Sequence, residues 1–211
     1  MADANAIHRA KDVSFALTQA LAAPELAGRL DANRIVAAGH SYGANTTMLL
    51  AGARVERGGQ TLQFKDPRIK AAVIISAPPF YGDADLQKIL QQVDVPTLHV
   101  TGNKDTITVP GYHSDPQDRI KVYEAMPAAK ALVLFDGATH SIFTDRVDRS
   151  GSELNLKVKA ATREVTRRFF EDVLAMGQPG ESVEPPRAAP NKGLRRVNAW
   201  LDDNASLLVR P

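Results

Sequence analysis

Apolar and polar positions along this chain follow two rhythms. Ala10, Val13, Leu17, Ala20 and Leu21 recur at helical spacing and predict an amphipathic helix over residues 6–22, with Pro24 beyond its end. Asp31-Ala32-Asn33 reads as a turn, and residues 34–38 as a short buried strand. Residues 42–54 return to helix, with Ala44, Thr47, Met48 and Ala51 on one face. Residues 70–76 are a near-continuous apolar run, the pattern of a parallel strand covered on both faces, and Pro78-Pro79 stops it.

The alternation continues. Residues 85–92 predict a short helix, 96–101 a strand, 117–125 a helix closed by Pro127, and 131–135 a strand ending at Asp136-Gly137. Residues 154–175 predict a long helix with Leu154, Val158, Ala161, Val165, Phe169 and Val173 facing inward. Regular strand–helix alternation predicts a three-layer α/β/α, doubly wound and mostly parallel sheet. The domain reading is 1–177 for this unit, and 178–211 for a proline-rich loop followed by a C-terminal helix or tail, with a short helix near 193–202.

With 211 residues, the chain is long enough for one domain with a substantial core. A formal net charge of +2, without a Lys/Arg block, argues against a nucleic-acid partner. The absence of cysteine rules out disulfides, thiolate metal sites and a cysteine nucleophile. No apolar run approaches the ~18 residues that a membrane span needs.

One segment carries chemistry. Gly39-His40-Ser41-Tyr42-Gly43 sits between a predicted strand and a predicted helix, the pattern of a nucleophile elbow. There a serine occupies a strained strand-to-helix turn. Gly39 and Gly43 flank it because side chains at either position are expected to collide across the turn. The N–H of Tyr42 then points to where an oxyanion would form, and the helix N-terminus adds positive potential.

A serine hydroxyl needs a base within reach, and the base needs a group to fix its tautomer. In open α/β sheets such groups gather at the carboxyl ends of strands. His140 follows strand 131–135 and is the best-placed base. His99 lies inside a strand and reads as a core residue, and His40 reads as pocket lining. Asp105, just past strand 96–101, is the best-placed acid; Asp83 and Asp85 are its rivals. The chain order Ser41, Asp105, His140 is the α/β-hydrolase order.

On these residues the chain resembles serine α/β-hydrolases, from about Arg9 to Leu174. More narrowly it is similar to dienelactone-hydrolase-like and platelet-activating-factor-acetylhydrolase-like esterases, with chlorophyllase-like and cutinase-like relatives. The carriers are Gly39-His-Ser41-Tyr-Gly43-Ala44, Gly102-Asn-Lys-Asp105 and Gly137-Ala-Thr-His140. True dienelactone hydrolases use a cysteine, which this chain lacks.

The resemblance implies about four strands and a glycine-containing oxyanion loop ahead of the elbow strand, where this sequence has one helix. The expectation is an N-terminally truncated hydrolase, or an oligomer that covers an otherwise exposed sheet edge.

The expected activity is hydrolysis of small-molecule carboxylic esters through an acyl-enzyme, with Ser41 as nucleophile, His140 as base, Asp105 as acid and Tyr42 as oxyanion donor. No metal or organic cofactor is needed. His40, Phe80, Tyr81, Ile142 and Phe143 are the expected substrate-binding residues. The alternatives are an inactive module of the same fold or, among enzymes, a thioesterase, acyltransferase or peptidase.

Overall fold

A computed structural model of the chain describes residues 3–80, 85–127, 129–145, 151–174 and 205–210. Its centre is a five-stranded sheet. Helix α1 (Asp3–Ala22) leads to β1 (Ile35–His40), α2 (Tyr42–Ala51), and a hairpin of β2 (Arg54–Arg57) and β3 (Gln60–Gln63). Then come β4 (Ile69–Ile75), α3 (Leu86–Leu90), β5 (Thr97–Lys104), and a second hairpin of β6 (Ile107–Val109) and β7 (Tyr112–Ser114). The chain continues through α4 (Pro116–Ala125), β8 (Lys130–Thr139), a 3₁₀ turn (His140–Phe143), α5 (Ser152–Leu174) and β9 (Ala205–Arg210).

The sheet order is β1-β4-β5-β8-β9. The first four strands are parallel and β9 runs antiparallel to β8. Side chains alternate across each strand, so the sheet feeds two cores. Ala72 and Ile74 of β4 pack with α2, α3 and α4 through Met48, Leu90 and Val122. Ala71 and Val73 face the other way, with Leu98, Val100 and Val133, against Val158, Val165 and Phe169 of α5. This is the predicted three-layer arrangement, and the inward stripe of the long helix is as its periodicity predicts.

Three departures have physical reasons. Helix α2 ends at Gly52, and the polar-apolar alternation of residues 54–63 pairs on itself as a hairpin instead of extending the helix. Strand β8 does not stop at Asp136-Gly137. Phe135 pairs with Gly102 and Thr139 with Lys104, so β8 bulges, and Gly137 takes the positive φ of 71° that the bulge requires. Asn103 clamps the bulge, donating to Asp136 and accepting the Gly137 N–H at 2.9 Å. Finally, Ala205–Arg210 forms a strand within a stretch read as tail. The short helix read near 193–202 lies outside the described residues.

Helix α1 is held by a polar anchor as much as by apolar packing. Ala10 is buried, but Val13 is 43% and Phe15 65% exposed. Ser14 donates to Asp66 at 2.9 Å, and Arg68 bonds both Asp66 and the Ser14 carbonyl. Strand β1 ends the sheet and pairs only with β4 among the described residues.

Candidate active site

The elbow forms as its residues predict, with one difference. Ser41 has φ 56° and ψ −122°, a conformation that costs a non-glycine residue about 1–3 kcal/mol. Its N–H is held by the Ile75 carbonyl at 2.9 Å, which ties the turn to β4. A Cβ on Gly39 would overlap the Gly43 carbonyl and the Thr47 hydroxyl, so glycine is required there. Gly43 is not under the same constraint. It sits in the first turn of α2, where a Cβ would point into open space.

The sheet register delivers the other two groups. Lys104 of β5 pairs with Thr139 of β8, so the next residues, Asp105 and His140, leave the sheet side by side. Asp105 is wholly buried. His140 Nδ1 lies 2.8 Å from Asp105 Oδ1, and its Nε2 lies 2.8 Å from Ser41 Oγ. A carboxylate can only accept, so Nδ1 carries the proton and Nε2 is left to accept from the serine hydroxyl. Thr101 donates to Asp105 Oδ2 at 2.7 Å. Burial pushes the Asp105 carboxyl up, but the His140 hydrogen bond and the Arg119 charge outweigh it and hold the group below the ordinary carboxylate range.

Tyr42 heads α2, so its N–H has no acceptor within the helix and is placed as a donor beside Ser41. Arg9 of α1 lies over the Tyr42 ring, 4.7 Å from its centroid.

The expected pocket residues separate. An apolar cavity of about 370 Å³ starts at Ser41 and Tyr42 and runs between α2 and the two hairpins, past Leu49, Leu62, Phe64 and Phe80. Phe80 therefore lines it. Ile142 does not, because it is fully buried in the α5-side core. Phe143 also packs toward that core, near Phe135. His40 turns away from the cavity. Its ring lies 4.8 Å from that of His140, and its Nε2 donates to the His140 carbonyl at 3.0 Å. Tyr81 and Asp83 lie outside the described residues. Asp85 caps α3 through the Lys88 N–H. His99 is buried against Thr97 and Tyr123, and burial lowers it to about 3, so it is neutral. No group of three or more potential metal ligands occurs among the described residues.

Two features escape the sequence reading. The hairpins that wall the cavity are short, and their alternation spans only a few residues each. Arg119, buried beside Asp105, looks like an ordinary surface cation of α4. Its spacing to Val122 and Tyr123, three and four positions on, is the signal that places it on the inward face.

Comparison with known proteins adds an independent line. A family model described as serine hydrolase (FSH1) matches residues 35–142. Cutinase 1 of Thermobifida cellulosilytica and the cutinase of Thermobifida fusca (strain YX) are each 31% identical to the chain over 136 residues. Those residues are 63% of this chain, and 43% and 38% of the two cutinases. Cutinase est2 of Thermobifida alba is 32% identical over the same length. The chain thus spans about two fifths of the length of the curated relatives it matches.

Proposed function

The chain belongs to the serine hydrolase (FSH1) family, and from that premise we propose that it hydrolyses carboxylic esters through an acyl-enzyme. The observation that carries the reading is the unbroken chain of hydrogen bonds from Asp105 through His140 to Ser41, 2.8 Å at each link.

In this mechanism Ser41 Oγ bonds to the acyl carbon as its proton passes to His140 Nε2. The Tyr42 N–H, at the positive end of α2, receives charge on the former carbonyl oxygen. Asp105 stabilises the imidazolium. The carbon–oxygen bond to the alcohol breaks, and the proton leaves with that alcohol. Water then repeats the sequence and frees Ser41. The cavity beside Ser41 is apolar, which suits an aliphatic acyl or alcohol chain. Similarity to proteins named cutinases supports the ester over the thioester and amide readings.

An inactive module of this fold is the competing reading, and a fluorophosphonate probe decides between them, because only an activated serine reacts. The wild-type chain is expected to label at Ser41 and to turn over p-nitrophenyl acetate, and Ser41→Ala is expected to lose both, by roughly 10⁴-fold or more in turnover. Absence of labelling in the folded wild-type chain overturns the proposal.

Self-association is a separate proposal. Ala38 is exposed on β1, and a cleft along its open side is lined by Val13, Leu17, Ile35 and Val36. A second copy of the chain adding to this edge would pair the amides that have no strand partner among the described residues and cover that apolar surface. Sedimentation at increasing concentration is expected to show dimer, and Val36→Lys to abolish it; a monomer throughout rejects the idea.

A further inference from the structure

Behind Asp105 lies a cation for which acyl transfer has no direct use. Arg119, in α4, is 3% exposed. Its Nη1 donates to Ser114 Oγ and, at 2.9 Å, to the Asp115 carbonyl. Ser114 in turn donates a hydrogen bond to Asp118 Oδ2 at 2.8 Å. Nη2 lies 3.6 Å from Asp105 Oδ1, the same oxygen that His140 Nδ1 approaches at 2.8 Å. Nε and Nη2 have no hydrogen-bond partner among the described residues. The guanidinium is therefore fastened on one side and presents its other side to the carboxylate.

A buried carboxylate is costly without a countercharge, and a buried guanidinium equally so. The His140 ring N–H and the Thr101 hydroxyl give Asp105 hydrogen bonds, and Arg119 adds a permanent charge. Asp118, the other carboxylate near Arg119, already has Lys121 at 3.1 Å. Arg119 and Asp105 are thus each other's closest compensation.

We propose that Arg119 is a positioning residue: its charge keeps Asp105 ionised and fixed on the oxygen that orients His140, so that the imidazole stays aligned on Ser41 into the acid range. The consequence for turnover rests on the hydrolase reading, whereas the pairing of Arg119 with Asp105 does not.

The direction of the effect follows from the charges. Without the cation, burial is less fully opposed and Asp105 takes up a proton at higher pH. A protonated Asp105 no longer stabilises the imidazolium, so turnover falls. The other titratable groups facing this cluster are His140 from the 3₁₀ turn, His40 from the elbow, Asp118 from α4 and Tyr112 from β7. Burial pushes Tyr112 up, so it stays protonated throughout the acid range. Burial pushes Asp118 up, but its bonds to Ser114 and Lys121 hold it below the ordinary value.

The test compares Arg119→Met, which keeps an unbranched apolar stem and loses the charge, with Arg119→Lys, which keeps the charge. The Asp105 carboxyl is titrated by ¹³C NMR without substrate, and kcat and KM are measured for p-nitrophenyl acetate. In Arg119→Met the carboxyl midpoint is expected to rise by about one pH unit or more, and kcat to fall with KM little changed. In Arg119→Lys the midpoint is expected to stay within about 0.3 unit of wild type, with kcat retained. An unmoved midpoint in folded Arg119→Met, or a full-unit rise in Arg119→Lys, overturns the proposal. Should Arg119→Met fail to fold, the Lys variant decides alone. A wild-type chain inert to fluorophosphonate would sink the hydrolase reading, while the carboxyl titration would still judge this one.

Discussion

A Cβ on Gly39 would overlap the carbonyl of Gly43, whereas one on Gly43 would meet no atom within 4 Å. The two glycines of the elbow therefore have different tasks. Gly39 lets the last turn of β1 pass under the first turn of α2. Gly43 is a helical residue that carries the entropy cost of glycine without a steric need for it. Gly39→Ala is expected to lose esterase activity and to destabilise the chain by about 1–3 kcal/mol, the range for forced overpacking. Gly43→Ala is expected to fold and turn over normally, gaining up to about 1 kcal/mol. Chemical denaturation of both variants, with p-nitrophenyl acetate assays, checks the contrast; equal damage from both would refute it.

His40 supports the imidazole from outside the cavity. Because its Nε2 donates to the His140 carbonyl, it fixes the backbone from which the His140 ring hangs. His40→Phe keeps a ring against His140 and Phe143 and loses the hydrogen bond to the His140 carbonyl, so kcat is expected to fall roughly tenfold, within the cost of a slight misalignment. His40→Ala loses the packing as well and is expected to fall further. Steady-state kinetics should show the loss in kcat with KM nearly constant, since His40 does not line the cavity. A rise in KM alone would return His40 to substrate binding.

Asp66 sets an acid limit on stability. Hydrogen bonds from Arg68 outweigh burial and hold its carboxyl at about 2, below the ordinary 3.8. A group whose carboxyl is depressed on folding contributes stability above its unfolded value and loses it as pH falls through the folded one. The contribution, roughly 2 kcal/mol, is therefore expected to be present above pH ~4 and to vanish toward pH ~2. Asp66→Asn should be less stable at neutral pH and show a flatter stability profile between those limits. Urea titrations across that range provide the measurement, and parallel profiles for the two proteins would contradict it.

The cavity predicts a chain-length preference. Tyr42, Asn45, Thr46 and Leu49 line it along one face of α2, a wall of about 10 Å at 1.5 Å per residue. Each methylene buried there contributes about 0.8 kcal/mol. p-Nitrophenyl octanoate is therefore expected to exceed the acetate in kcat/KM by roughly tenfold or more. Leu62→Trp, which fills the space from β3, should erase that advantage and spare the acetate. Equal losses on both esters would show that the cavity does not hold the chain.

The alternation of strands and helices and the turn at Ser41 were legible in the sequence, and it singled out Asp105 and His140, whose side chains lie in line with Ser41. Hydrophobic period and turn chemistry are local properties, and the groups that serve a parallel sheet's site must follow its strands. It also identified the buried stripe of α5, from Val158 to Phe169, because a helix of that length repeats its pattern many times. What surrounds these residues depends on how the elements pack. Ile142 and Phe143 have the apolar character of pocket residues, but in the 3₁₀ turn after β8 they pack against the α5-side core. Phe80 and the hairpin residues Leu62 and Phe64 meet at the cavity through chain reversals too short to leave a period. Arg119 reaches Asp105 because α4 packs against β5 in one register, and a pairing across the fold depends on that register, which no single stretch of sequence encodes.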